Sequence, residues 1–173
     1  MQIILWGYMG SGKTSVGRRL AQTLQYRFID LDNEIEKEES LSISELFKKK
    51  GEIYFRKKEN EIVKKIIATN KKCVFSLGGG TPMYNNLTSY LSNQNNTTTI
   101  YLSANPKTLT ARLFQEKDKR PLINHLITHE QLNDFIKKHL FERNSTYTTA
   151  DIIIKVDNLT IENIVEKIVT HLF

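Results

Sequence analysis

The sequence predicts an α/β protein of three layers, α/β/α, with a central parallel sheet of about five strands and helices on both faces. Three observations predict it. Short apolar, β-branched stretches alternate with stretches whose apolar residues recur at helical spacing, the pattern of parallel strands joined by crossover helices. The first strand candidate runs straight into a glycine-rich loop and then into a helical pattern. The length of 173 residues, with 39% hydrophobic and 25% charged side chains, suits one domain around one core, so a single domain over residues 1–173 is expected.

Ile3 to Trp6 is the first strand candidate, and Gly7 to Ser15, GYMGSGKTS, follows it. Gly7, Gly12, Lys13 and Thr14 match G-x-x-x-x-G-K-[ST], and Val16, Leu20 and Leu24 mark the helix after it. Such a loop turns its amides inward around a β-phosphate. The lysine bridges β- and γ-phosphate oxygens, the threonine hydroxyl ligates magnesium, and the helix N-terminus adds its dipole. Gly10, Ser11, Gly12, Lys13, Thr14 and Ser15 are therefore the candidate phosphate site, and ATP or GTP the ligand.

Arg27 to Ile29 is the second strand, ending in Asp30-Leu31-Asp32. In extended chain those two carboxylates point to the same side, where one could hold hydrated magnesium and the other take a proton from a substrate hydroxyl. Alternatively Asp32 caps a helix beginning at Asn33, and the two roles can coexist. Ser42-Ile43-Ser44-Glu45 has the form of a capping box, and Ile62, Ile66 and Ile67 recur at helical spacing further on. The lysines from Lys48 to Lys65 are interleaved with Glu52, Glu59 and Glu61, which reads as a solvated helix face.

Cys73 to Leu77 is the third strand, its cysteine expected to pack as a small hydrophobe. It ends in Gly78-Gly79-Gly80. Glycine weakens a strand, so the run suggests a ligand approaching the backbone, with a plain tight turn as the alternative. Asn93 to Asn96 reads as a surface turn before the strand Thr98 to Leu102, and Leu109 and Leu113 mark the next helix. Thr128-His129-Glu130-Gln131 is a second capping box, opening a helix with Leu132, Phe135, Ile136 and Leu140 inward. Asp151 to Val156 is the last strand, and Ile161, Ile164, Val165, Ile168 and Leu172 the last helix.

The net charge of +6 attracts anions of any kind and does not choose between nucleic acid, membrane and small ligands. One cysteine excludes a disulfide framework within the chain. No apolar run approaches the ~18 residues of a transmembrane helix, and no basic segment precedes a signal-like apolar stretch, so a cytoplasmic protein is expected. A GTP switch would read guanine through [NT]-K-x-D, and the nearest stretch, Ile154-Lys155-Val156-Asp157, lacks the leading polar residue. A motor ATPase needs more chain and an apolar run ending in Asp-Glu. A small-molecule kinase fits. Its acceptor would sit at the carboxyl ends of the strands, where Arg56, Arg120 and Arg143 lie at element boundaries that could face one crevice and fork a carboxylate or phosphate. Any one of these arginines alone reads as a surface charge before it reads as a ligand.

Taken in order, Gly7 to Gly17, Phe28-Ile29-Asp30-Leu31-Asp32 with Ile35-Glu36, Ile43 to Phe47, Gly51-Glu52, Phe55-Arg56 with Glu59, Leu77-Gly78-Gly79-Gly80, Arg120-Pro121-Leu122, and Arg143 with Tyr147 and Ala150-Asp151 resemble the shikimate kinases along nearly the whole chain. The resemblance implies a P-loop kinase fold and transfer of the ATP γ-phosphate to the 3-hydroxyl of shikimate, a step toward chorismate and the aromatic amino acids. It implies that Asp32, Arg56, Gly79, Gly80 and Arg143 hold shikimate within a region of about 33–61 and the strand ends, the arginines on its carboxylate and Asp32 near the reacting oxygen. It implies Mg2+ on Thr14 and, through water, on Asp30. Lys13, Asp32 and Arg120 become the catalytic set, Arg120 on a lid of about 112–124 and Arg112 near adenine. Phe47 and Phe55 would wall the acceptor pocket, and Glu59 would orient Arg56. ATP and shikimate are then the partners, with neither nucleic acid nor membrane, and the chain a monomer.

Two positions depart from the resemblance. Val156 to Thr160 holds neither the arginine nor the proline often found near adenine, so that contact stays unassigned, and Leu31 stands where threonine or serine is frequent. The nearest rival is a kinase of another small hydroxylated acid such as gluconate. A nucleotide-dependent RNA-binding protein is the rival from a different class.

Overall fold

Gln2–Trp6 forms β1 and is buried at every residue, the mark of a strand covered on both faces. The computed structural model describes residues 1–117, 120 and 122–173. After β1 come α1 (Lys13–Leu24), β2 (Arg27–Asp30), α2 (Leu31–Glu39), α3 (Ile43–Thr69), β3 (Cys73–Ser76) and α4 (Leu87–Ser92). Then follow β4 (Thr97–Ser103), α5 (Pro106–Phe114), α6 (His129–Tyr147), β5 (Ile152–Lys155) and α7 (Ile161–Leu172). A single 3-10 turn, Thr81–Met83, lies between β3 and α4. The five strands make one parallel sheet in the order β2-β3-β1-β4-β5. Its register sets Asp30, Ser76 and Leu5 side by side, so the loops after β2, β3 and β1 leave from one edge.

Each expected strand is present, shifted by a residue or two at its ends. The core holds the whole of β3 together with Val16, Leu20 and Ala21 of α1 and Ile164, Val165 and Ile168 of α7. Burying a leucine such as Leu20 contributes about 1.5–3 kcal/mol, and α1 gathers that contribution from β2, β3 and α7 together. Both capping boxes form: the Ser42 hydroxyl accepts from the Glu45 amide and the Thr128 hydroxyl from the Gln131 amide, each returned by the Glu or Gln side chain. Asn105 and Thr160 cap α5 and α7 in the simpler one-way manner.

Three local expectations are corrected. Asp30 and Asp32 do not lie on extended chain, because the helix starts at Leu31, inside the dipeptide. Asp32 does not cap it either; it sits in the first turn, where a carboxylate favours the helix dipole. The lysine-rich face is solvated only in part. Lys50 pairs with Glu39 at 2.6 Å and Lys58 with Glu38 at 2.6 Å, tying α3 to α2, while Glu59 is 2% exposed. The helix α3 also breaks at Gly51, whose φ of 79° and ψ of 172° form a conformation open in practice to glycine alone, so it is two segments meeting at an angle. α4 has only six residues, too few to show a helical period in the sequence.

Cys73 is buried, and that burial pushes its thiol up to about 11, an inert side chain. Among the described residues no helix is long and apolar enough to cross a membrane. Of the expected lid, Asp118, Lys119 and Pro121 lie outside the described residues. Its far end is anchored by Ile123, which is fully buried.

Candidate active site

The loop after β1 is shaped by contacts that only a glycine allows. A Cβ on Gly7 would lie 2.6 Å from the Leu102 carbonyl oxygen, at a φ of 146°. With the loop pressed against the end of β4, the carbonyls of Gly7 and Tyr8 accept hydrogen bonds from Lys13 Nζ at 2.9 and 3.1 Å. Ser11 is 1% exposed and its hydroxyl has no protein partner, nor has Arg120 Nε. Buried donors left without partners suit a bound oxyanion.

These groups line a cavity of about 480 Å³ whose wall includes Met9 to Val16, Asp30, Asp32, Gly78, Gly79, Arg112 and Arg120. The volume is that of a ligand site. Lys13 is pulled down to about 8, first by burial and then by Arg120, against the attraction of Asp32 and Asp30. Asp32 is pushed up to about 6, first by loss of hydration, then by Asp30 and Glu59, with Lys13 opposing. The Thr14 hydroxyl donates to Asp30 Oδ2 at 3.0 Å. Hydroxyl and carboxylate oxygens suit Mg2+, which keeps several waters and takes only one or two protein oxygens beside phosphate. Among the described residues no cluster of three or more His, Cys, Asp or Glu could cage a metal without such help.

Beside this cavity stands a second group. Arg56 Nη1 donates to Glu59 Oε2 at 2.7 Å, and the Thr81 hydroxyl donates to Glu59 Oε1 at 2.5 Å. The Arg56 guanidinium lies 4.4 Å from the Tyr84 ring centre, and the Phe55 and Phe47 rings pack at a tilt of 38° with centres 4.5 Å apart. Burial pushes Glu59 up, and the Arg56 charge works against that. The glycine run joins the two groups. A Cβ on Gly79 would lie 3.3 Å from the Met9 amide nitrogen, and one on Gly80 would lie 3.0 Å from Arg56 Nη2. None of Gly78, Gly79 and Gly80 has a positive φ; the Thr81 amide donates to the Gly78 carbonyl at 3.2 Å, so the run makes a turn and is also a place of close approach, and part of what approaches is the protein itself.

Lys13, Thr14, Asp30, Asp32, Gly79, Arg112 and Arg120 are thus brought together around one cavity. Arg56, Gly80 and Arg143 do not line it; they adjoin it at Gly79, Arg56 through Gly80, and Arg143 through Tyr147, whose hydroxyl donates to the Gly79 carbonyl at 2.5 Å. Of the three arginines at element boundaries, Arg120 lines this cavity, and Arg56 and Arg143 stand beside it. Arg120 pairs with Glu116 at 2.8 Å, and Arg112 donates to the Gly10 carbonyl at 3.1 Å. Leu159, Ile161 and Ile164 supply an apolar wall that was left unassigned in the sequence. Thr160 caps α7, and α7 packs against α1.

A family model for shikimate kinase matches residues 9–173. The shikimate kinase of Flavobacterium johnsoniae is 42% identical over 167 residues, 96% of each chain. Among solved structures, the shikimate kinase of Bacteroides thetaiotaomicron superposes with a TM-score of 0.90 at 32% identity, over 99% of this chain and 98% of that one. The shikimate kinase of Acinetobacter baumannii, solved in complex with shikimate, gives 0.86 at 28%, over 99% and 92%.

Proposed function

The chain belongs to the shikimate kinase family, an ATP-dependent phosphotransferase of the shikimate pathway leading to aromatic amino acids, and from that premise we propose which residues carry the reaction. The observation that carries the proposal is the glycine run. Gly79 packs on the phosphate loop, Gly78 lies between Asp32 and Glu59, and Gly80 lies against Arg56, so the Lys13 loop and the Asp32 carboxylate stand beside the Arg56–Glu59 pair.

ATP lies with its phosphates on Gly10 to Ser15 and its base between Arg112 and the Leu159, Ile161 and Ile164 wall. Shikimate lies at Gly79 and Gly80, its carboxylate forked by Arg56 and Arg143, with Phe47 and Phe55 beside its ring. Mg2+, held by Thr14 and through water by Asp30, would supply positive charge to the β- and γ-phosphate oxygens. Asp32 orients the 3-hydroxyl and takes its proton as that oxygen bonds to the γ-phosphorus and the bond to ADP breaks. A carboxyl raised toward the working pH is a better base than an ordinary aspartate. Lys13 and Arg120 neutralise the equatorial oxygens of a loose transition state. Closure of the 112–124 segment would exclude water.

We read residues 1–173 as one domain, a cytoplasmic monomer whose partners are ATP and shikimate and not nucleic acid or membrane. Lys13, Arg56, Arg112, Arg120 and Arg143 account in part for its positive charge. In a coupled assay ADP should be released on adding shikimate and not on adding gluconate or RNA; release with gluconate alone would overturn the acceptor. Asp32→Asn should lower turnover by about 10²-fold or more while leaving the fold intact. Near-normal turnover would remove the base role.

A further inference from the structure

His139, Arg143 and Tyr147 follow one another at intervals of four along α6 and so form one stripe of the helix. Tyr147 reaches Gly79 on the acceptor side, and its own carbonyl accepts from Trp6 Nε1 at 3.0 Å, just before the phosphate loop. Arg143 places its guanidinium 5.5 Å from the centre of the Tyr8 ring. His139 places Nδ1 3.0 Å from the Tyr8 hydroxyl. Tyr8 belongs to the phosphate loop, is 1% exposed, and has its hydroxyl held by this histidine. Phe135 also packs on the imidazole, with ring centres 4.1 Å apart. Burial and the Arg143 charge hold His139 below its ordinary value, so at neutral pH one member of the pair donates and the other accepts, whichever tautomer the ring adopts.

We propose that His139 is a positioning residue: by holding the Tyr8 hydroxyl it fixes the ring beneath the Arg143 guanidinium, and so sets where the carboxylate of the acceptor is forked. The proposal rests on the reading of Arg143 as a carboxylate ligand. A guanidinium fork binds a carboxylate through two parallel hydrogen bonds, and its geometry tolerates little rotation. A tyrosine ring freed to turn would carry the cation with it, because the ring face is what attracts the guanidinium. The same ring belongs to the loop whose Tyr8 carbonyl accepts from Lys13, yet that contact is made by backbone and does not need the hydroxyl. The effect should therefore fall on the acceptor and not on ATP.

The test measures KM for shikimate and for ATP separately in H139L, H139N, Y8F, the Y8F/H139L double variant and R143A. H139L should raise the shikimate KM by about five- to tenfold, the loss of one hydrogen bond, with the ATP KM and kcat within about twofold of the parent. H139N, whose amide can replace Nδ1, should restore most of the loss. Y8F should raise the shikimate KM as H139L does, and the double variant should be no worse than either alone, since all three remove one shared bond. Equal rises in both KM values, no recovery in H139N, or additive losses in the double variant would each reduce His139 to a packing residue. R143A separates the underlying reading: if it leaves the shikimate KM unchanged, Arg143 is not the carboxylate ligand and the positioning role falls with it. If R143A raises that KM and H139L does not, only the role of His139 fails. Should H139L prove too unstable to purify, Y8F, which removes a single oxygen, carries the same expectation and the same risk.

Discussion

The proposed phosphate half of the site is a run of consecutive residues, Gly7 to Ser15, whose lysine is held by the loop's own carbonyls, whereas the proposed acceptor half is assembled from side chains of α3, the Gly78 to Thr81 segment and α6. In the first, Lys13 is steadied by the carbonyls of Gly7 and Tyr8, atoms that no side-chain substitution removes. In the second, Arg56 is steadied by Glu59, which is steadied in turn by Thr81, and each link is a side chain. A lysine anchored on backbone carbonyls loses no anchor when a neighbouring side chain is replaced. A subsite built from side chains is vulnerable at every partner, and its specificity can be adjusted at each of them.

The sharpest way to break this contrast is Lys13→Met. It removes the charge that we propose acts on the phosphoryl group in flight; among the described residues lining the cavity only Arg112 and Arg120 offer another cation, so kcat/KM should fall about 10³-fold for ATP and shikimate alike. A loss confined to ATP affinity would mean that Lys13 serves ground-state binding only.

Glu59→Gln probes the other half and should act more mildly. The amide can still accept from Thr81 but no longer neutralises Arg56, which is expected to swing off its anchor and raise the shikimate KM about tenfold with little change in the ATP KM. A lower shikimate KM would show instead that Glu59 chiefly weakens Arg56 by pairing with it. Steady-state kinetics with each substrate varied in turn distinguishes the two outcomes.

The same contrast explains what could be read from the chain. The phosphate loop is contiguous, so its spacing alone disclosed it, and the parallel sheet followed from the alternation of strands and helices around it. Glu59 reads by pattern as one of a solvated series, because sequence shows charge but not burial, and only the resemblance pointed to its pairing with Arg56; the fold buries it against Arg56 and Thr81. Asp30 and Asp32 were brought to one site for the wrong reason, since the chain coils at Leu31 where alternation assumed it stayed extended. His139 carried no signal at all, because its meaning depends on Tyr8, 131 positions away.

Asp32 stands where the halves meet, and its own environment yields the smallest and most selective prediction. Its carboxyl lies near 6 in the folded, ligand-free protein against an ordinary 3.8, so the fold prefers it protonated. A group raised in this way stabilises fully below its unfolded value and loses that contribution as pH rises through the folded one. The wild-type protein should therefore lose stability between about pH 4 and pH 6, where Asp32→Asn, which never ionises, does not. Two pKa units correspond to about 3 kcal/mol, but solvent reaches Asp32 through the cavity, and screening reduces the expected gain of the asparagine variant to about 1 kcal/mol at pH 8. Urea unfolding without nucleotide or metal should show that gap at pH 8 and none at pH 4. A variant less stable than the parent at pH 8 would mean that Lys13 holds the ionised carboxylate more strongly than lost hydration, Asp30 and Glu59 together disfavour it. In that case the base would be strained by neither half of the site, and its readiness to take a proton would have to come from the substrates themselves.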